Sequence, residues 1–138
     1  MNASTKLYTR EILTLATRLA AYPLDDLIGL RGSARSQICG SAMELGLQID
    51  ADGRIVRAGA KVTACAVGQA AAALFIEGTA GKVRADIELA LSGIEAWLAG
   101  RGEMPDWPGI EAIAAARDFP GRHGAIILPW KAALATLP

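Results

Sequence analysis

Three side chains in this sequence could bind a metal ion or act as nucleophiles: the only two cysteines, Cys39 and Cys65, and the only histidine, His123. Cys65 directly precedes an alanine-rich segment that predicts a helix, and the first turn of a helix favours a reactive thiolate. Ordinary structural roles stay open, because free cysteines are often buried and a histidine in a glycine-rich turn is commonly a surface or capping residue. A disulfide between the cysteines is a further option, which a reducing compartment disfavours.

The segment between the two cysteines predicts a β-hairpin. Asp52-Gly53 is a strong two-residue turn signal between two stretches of alternating apolar and polar residues. Cys39 and Cys65 would then meet at the open end of the hairpin, where Gly40 permits a bulge that brings both sulfurs to one side. With Ala51 facing Arg54, the predicted apolar pairs are Met43 with Val62, Leu45 with Ala60, Leu47 with Ala58 and Ile49 with Val56. The predicted polar-face pairs are Glu44 with Lys61, Gly46 with Gly59 and Gln48 with Arg57.

Helices are predicted before and after this hairpin. A first helix that ends before Pro23 is predicted from the apolar spacing of Tyr8, Ile12, Leu15 and Leu19, widened by Leu13. Residues 23–32 are predicted to be irregular, and residues 33–36 to form a short edge strand. Later helices are expected from Cys65 to Gly78, from Gly81 to Ala99, over 110–116 with Pro108 at its first position, and over 128–137 with Pro129 in its first turn. Residues 118–124 are a predicted loop. This order predicts an α+β fold, a small antiparallel sheet of about three strands covered by helices on one face, in a single domain over residues 1–138.

Composition narrows the class of function. The 14 basic and 14 acidic side chains balance and the basic ones are scattered, which argues against nucleic-acid binding. No apolar run is long enough to cross a membrane, and the first residues lack the layout of a signal peptide, so we expect a cytoplasmic protein. The sequence holds no nucleophile and base pair and no phosphate loop, so we expect no enzymatic activity.

The chain resembles the iron–sulfur cluster assembly scaffold family that comprises IscU, SufU and the amino-terminal domain of NifU. The similar segments are Leu7-Tyr8 with Glu11-Ile12-Leu13, Cys39-Gly40, the Asp52-Gly53 hairpin, Cys65 followed by Gly68-Gln69-Ala70, and Phe119-Pro120, Arg122 and Leu128-Pro129-Trp130-Lys131-Ala132. Residues 99–119 look like the insert of the SufU branch. The resemblance implies a non-catalytic scaffold or carrier that accepts sulfur from a cysteine desulfurase and binds iron, zinc or an iron–sulfur cluster. It also implies cluster-receiving proteins as partners. A homodimer stays open, since a partner or a second copy of the chain could supply a third cysteine.

Two ligand positions of that family are changed here. The aspartate after Cys-Gly is Ser41, and the third cysteine aligns with Ala125. Cys39 and Cys65 remain as ligands, and His123 could replace the lost one if residues 123–125 were extended, because residues two apart then share a side. The cation of Arg122 either holds an anionic sulfur species or is a solvated loop charge. The alternatives are a degenerate homologue that binds partners without metal, and a thiol-transfer enzyme with Cys65 as persulfide acceptor.

Overall fold

A three-stranded antiparallel sheet forms the middle of the molecule. The computed structural model describes residues 7–26, 29–37 and 40–138. Strands β1 (Leu30–Arg35), β2 (Ala42–Ile49) and β3 (Ile55–Thr63) lie side by side in chain order. The predicted register from Met43–Val62 to Gln48–Arg57 is confirmed, and the edge strand begins earlier than residue 33 because Leu30 already pairs with Leu47. The α+β fold class is confirmed.

The hairpin turn is wider than the sequence predicts. The register shifts between Gln48 and Ile49, so that Ile49 pairs with Ile55 and not with Val56. Ile55 is buried and Val56 is half exposed, opposite to the expected arrangement. The cause is Asp50: its carboxylate accepts the backbone N–H groups of residues 52 and 54, and its own N–H donates to the carbonyl of Arg54 over 2.9 Å. The turn therefore spans Asp50 to Arg54.

Helices cover the apolar face of the sheet. Helix α1 (Arg10–Arg18) continues into a 3₁₀ turn (Leu19–Ala21), and α2 (Ala66–Gly78) and α3 (Arg84–Leu98) follow the sheet. Tyr8 and Leu13, expected in the buried stripe of the first helix, are exposed. The segment 110–118 is a 3₁₀ helix preceded by Gly109 at a φ of 78°, so Pro108 is not its first residue. Among the described residues, no helix has both the length and the apolar character required to cross a bilayer.

The last helix begins five residues earlier than predicted. A 3₁₀ turn (Pro120–Arg122) leads directly into α4 (His123–Thr136), which contains Pro129 in its interior. Proline in a helix removes one hydrogen bond, but the packing of α4 against β1, β2, α2 and α3 compensates. His123 and Gly124, expected in the loop 118–124, are therefore helical.

A close contact at one glycine and a cluster of aromatic side chains determine how α4 packs. A Cβ added to Gly32 of β1 would lie 3.0 Å from the Cα of Thr136, so the end of α4 touches the strand backbone. Phe75, Trp107 and Trp130 pack with ring centroids 5.2–5.6 Å apart, and the indole N–H of Trp107 donates to the carbonyl of Leu74. Trp97, Trp107 and Trp130 are buried, in agreement with a core role.

Candidate functional site

A small cleft lies at the open end of the hairpin. Its volume is about 250 Å³, and it is formed by the end of β3, the start of α2, the connection before β2 and the turn before α4. The lining residues are Gly40, Ser41, Thr63, Ala64, Cys65 and Arg122. The fold therefore brings one of the predicted cysteines into a cleft with the residues that follow the other.

Cys65 caps the amino terminus of α2 with its backbone and not with its thiol. Its dihedral angles (φ −66°, ψ 172°) are extended, its carbonyl accepts the N–H of Gln69 over 3.0 Å, and its side chain makes no capping hydrogen bond. The amide of Gln69 donates to the carbonyl of Ala64 and fixes the strand-to-helix junction. The half-buried thiol thus lines the cleft without a structural task at the helix end.

The opposite wall is the connection between β1 and β2. Gly40 has a φ of 71°, a conformation that favours glycine, and its N–H donates to the carbonyl of Ser36 over 2.9 Å. The N–H of Ser36 in turn donates to the carbonyl of Ser41, and the Ser41 side chain is buried in the wall of the cleft. Cys39, the other predicted ligand, lies outside the described residues.

The helical start of α4 changes the expected relation of His123 to Ala125. Residues two apart on a helix are separated by about 200° around its axis, so His123 does not point to the side that Ala125 occupies. The assumption of an extended segment is wrong. The Nε2 of His123 lies 2.7 Å from the carbonyl oxygen of Arg117. Since a carbonyl oxygen can only accept, Nε2 is the donor of this hydrogen bond. His123 does not line the cleft, whereas its neighbour Arg122 does.

Ala125 is completely buried against α2. A Cβ added to Gly68 would lie 3.2 Å from the Ala125 Cβ and 2.7 Å from the Ala64 Cβ. The family position of the third cysteine therefore packs, as a methyl group, against the helix that Cys65 begins. Gly124 makes a similar approach to the connection between β1 and β2, since its added Cβ would lie 3.3 Å from the Cβ of Ser36.

The metal-ligand set is incomplete in the described part of the chain, which contains no group of three His, Cys, Asp or Glu side chains able to hold a metal ion. Of the predicted ligands in that part of the chain, Cys65 lines the cleft and His123 does not. A structural zinc site and a cluster site each need four strong ligands.

Sequence reasoning identified the cleft only in part. The sequence predicts that Cys39 and Cys65 meet at the open end of the hairpin, and Cys65 does line the cleft there, whereas Cys39 lies outside the described residues. Arg122, for which two roles were open, also lines the cleft. Thr63 and Ala64 were not expected as lining residues. The signal for them was their place directly before Cys65: Thr63 ends β3 in the last row of the sheet, and Ala64 joins it to Cys65.

Comparison with known proteins identifies the fold. A NifU-like protein (N-terminal) from Brucella abortus has a TM-score of 0.82 at 22% identity, over 96% of this chain and 93% of that one. A candidate iron–sulfur cluster assembly scaffold protein for a SUF system (FiSufU) from thermophilic Fervidobacterium islandicum AW-1 has a TM-score of 0.83 at 20% identity, over 98% and 99%. A third structure, a hypothetical protein, has a TM-score of 0.64 at 16% identity, over 89% and 93%.

The sequence comparisons give the family. A search of curated proteins finds no match to the chain. The family model described as the NifU-like N terminal domain matches residues 22–123, which include the whole sheet, α2, α3 and the cleft. The chain therefore belongs to the family of NifU-like N-terminal domains.

Proposed function

We propose that this chain is a scaffold or carrier protein of iron–sulfur cluster assembly, which accepts sulfur on Cys65 from a cysteine desulfurase. Membership of the NifU-like family and the likeness to a candidate SUF-system scaffold support this role. The observation that carries the proposal is the Cys65 thiol, which lines an accessible cleft at a helix amino terminus. We place this function in the cytoplasm and assign no reaction of its own to the chain.

The sulfur-accepting step is a thiol–persulfide exchange. The Cys65 thiolate attacks the terminal sulfur of the persulfide on the desulfurase, the sulfur–sulfur bond of that persulfide breaks, and the desulfurase cysteine leaves as a thiolate. Cys65 becomes the persulfide, so no further oxidant or reductant is needed. Arg122 lies in the same cleft, where a guanidinium stabilises both the attacking thiolate and the anionic persulfide.

Iron, zinc or a cluster is the cargo in this proposal. Cys39 and Cys65 are the proposed thiolate ligands and His123 a further ligand through Nδ1. The bond from Nε2 to the carbonyl of Arg117 favours this role, because metal-bound histidines usually donate their other ring N–H to such a group. A fourth ligand must then come from a partner or from a second copy of the chain. Cluster-receiving proteins are the proposed recipients.

A second candidate function follows from Ala125 and Ser41. The buried methyl group of Ala125 fills the space where the family has a thiolate, and Ser41 offers a hydroxyl where the family has a carboxylate. These residues favour a protein that keeps the fold and binds assembly partners, or carries sulfur, without holding metal.

Both candidates are tested on protein purified without oxygen. Iron, zinc and acid-labile sulfide are measured per chain for the wild type and for Cys39→Ser, Cys65→Ser and His123→Ala. The sulfur delivered by a desulfurase is measured by mass spectrometry of the Cys65 peptide. We expect a 32 Da adduct on Cys65, slower loading in Arg122→Gln and partial recovery in Arg122→Lys. Metal that is lost in both cysteine variants supports the cargo proposal, and metal-free protein that still loads sulfur supports a carrier. The absence of an adduct at Cys65 under all conditions would refute the sulfur-accepting role.

A further inference from the structure

Three cations lie in the cleft or in the sheet rows beside it. Arg122 lines the cleft, Arg35 ends β1, and Lys61 lies on β3 two residues before Thr63. Arg35 and Lys61 are exposed. Because alternate residues of a strand share a face, Lys61 and the cleft-lining Thr63 point to the same side.

The sheet register places these cations in neighbouring rows. Arg35 pairs with Ala42, and Ala42 pairs with Thr63, so these three residues form the last row of the sheet, at the cleft. Lys61 lies in the next row on the same face, opposite Glu44. The buried Met43 of the intervening row points to the helices.

None of the three cations takes part in an ion pair within residues 7–26, 29–37 and 40–138. The ion pairs in that part of the protein join Arg18 to Glu77, Arg57 to Asp25, and Arg84 to Glu88. Even Glu44, which faces Lys61 across the strands, forms no ion pair with it among these residues. The cleft therefore has an excess of positive charge in a chain with a net charge of zero.

The acidic side chains are concentrated elsewhere. Between residues 84 and 111 the sequence has six acidic and two basic side chains, on α3 and the segment that follows it. The segment 84–111 thus carries a net negative charge, whereas the cleft and the sheet rows beside it carry Arg35, Lys61 and Arg122. Segregated charge of this kind directs the approach of a partner and sets its orientation.

We propose that Arg35, Lys61 and Arg122 form a docking surface for an acidic patch on the protein that delivers sulfur to Cys65. This inference rests on the proposed function and names the chemistry of the partner surface. A protein partner fits better than a nucleic acid or an anionic membrane, because the carboxylate of Glu44 lies within the patch and would repel a continuous row of phosphates.

The test measures the association rate with the cysteine desulfurase encoded in the same genome. We expect the rate to fall at least 10-fold between 50 and 500 mM NaCl, within the range typical of electrostatic steering. Arg35→Glu combined with Lys61→Glu should lower the rate about 10-fold at 50 mM NaCl and flatten the salt dependence. The matched control, Arg101→Glu combined with Lys131→Glu, reverses two exposed charges outside the patch and should retain the wild-type rate.

The outcomes separate this inference from the proposed function. Sulfur loading of Cys65 at saturating desulfurase should be equal in the wild type and in the Arg35, Lys61 double variant. Loading at a rate that neither salt nor charge reversal changes would overturn the docking surface and leave the sulfur-accepting role intact. Tighter binding of a single-stranded RNA or of phosphatidylserine vesicles than of the desulfurase at 150 mM NaCl would also overturn it. Circular dichroism checks folding, and Arg35→Gln with Lys61→Gln provides a milder pair if charge reversal prevents folding.

Discussion

At the scale of single residues, two positions that the sequence resemblance assigns to metal ligands hold side chains that are weak ligands or none. The sequence resemblance aligns Ser41 and Ala125 with an aspartate and a cysteine, and both residues are buried, Ser41 beside the cleft and Ala125 against α2. Their burial means that the fold accepts small side chains there without collapse of the surrounding structure. A changed ligand set is therefore compatible with an unchanged backbone.

Restoring both residues should restore metal binding. We expect Ser41→Asp with Ala125→Cys to complete a four-ligand set with Cys39 and Cys65 and to bind about one zinc per chain, roughly 100-fold more tightly than the wild type. Zinc affinity is measured by competition with a chromophoric chelator. The control pairs Ser41→Asp with Ala133→Cys, a buried thiol elsewhere on α4. Equal zinc affinity of the two variants would show that position 125 does not face a ligand site.

The residue-level predictions succeeded where the backbone was predictable. Cys65 lies at a helix start as expected, because the apolar alternation of β3 ends there and an alanine run begins. The geometry of His123 could not be predicted, because Gly121 and Gly124 indicate a loop and only the tertiary packing of α4 makes the segment helical.

At the scale of secondary-structure elements, glycines determine how closely the walls of the cleft approach. Gly68 of α2 and Gly93 of α3 are both helical, but only Gly68 is in close contact: its added Cβ would lie 2.7 Å from Ala64, whereas that of Gly93 would lie 3.8 Å from Pro105. We expect Gly68→Ala to destabilise the protein by about 1–3 kcal/mol through overpacking.

Gly93→Ala should have the opposite sign. Alanine is favoured over glycine in a helix by about 0.8–1.0 kcal/mol, and the space beside Gly93 admits a methyl group. Urea denaturation of both variants measures the two free energies of unfolding. If Gly68→Ala were as stable as Gly93→Ala, the close packing of α2 against Ala64 and Ala125 would be wrong.

The junction of α1 with α2 should respond to alkaline pH. Burial is the largest cause that raises the pKa of Tyr22 above its usual 10.0. The hydrogen bond that the Tyr22 hydroxyl donates to Glu77 raises this pKa further, and Glu77 also forms an ion pair with Arg18. A raised pKa means that the folded state favours the neutral phenol. The resulting stabilisation is complete below pH 10 and is lost as the pH rises through the pKa of the folded state.

Tyr22→Phe should therefore reduce the fall of the unfolding free energy between pH 9 and about pH 11.5. Urea denaturation at several pH values gives this dependence. Tyr8→Phe, at an exposed tyrosine, is the control and should follow the wild-type curve. Identical curves for the wild type and Tyr22→Phe would contradict the contribution of Tyr22.

Element positions were predictable from alternation, but their ends were not. The register of β2 and β3 follows from the apolar pattern, which leaves only one arrangement with a buried face. The turn was missed because the Asp50 carboxylate takes two backbone donors, an interaction that no hydrophobic pattern reveals. The 3₁₀ segments at 110–118 and 120–122 likewise have no distinct periodic signal.

At the scale of the whole molecule, the sheet and helices share one hydrophobic cluster in the described residues. It includes Ile12 of α1, Leu45 of β2, Phe75 of α2, Ile94 of α3 and Trp130 of α4. That the full chain, residues 1–138, is a single domain stays a prediction. The shared cluster gives it a physical basis, because no element buries its apolar face alone.

We expect one cooperative unfolding transition. Far-ultraviolet circular dichroism, the fluorescence of the cluster formed with Trp107 and Trp130, and the alkylation rate of Cys65 should give the same urea midpoint. Iodoacetamide labelling of a Cys39→Ser variant isolates the third probe. A labelling midpoint well below the other two would show that the cleft opens before the rest of the fold.

The contact between Gly32 and Thr136 also matters at the far end of α4. This helix is about 18 Å long between Gly124 and Thr136. At each end a glycine, Gly124 or Gly32, makes a contact too close for a larger side chain. A methyl group at Gly32 would overlap Thr136 and displace the carboxyl-terminal end of α4. Because the amino-terminal end is held at Gly124, the helix would tilt and move the Arg122 guanidinium relative to the sulfur of Cys65. We therefore expect a substitution at Gly32 to change the reactivity of the Cys65 thiol, although Gly32 does not line the cleft.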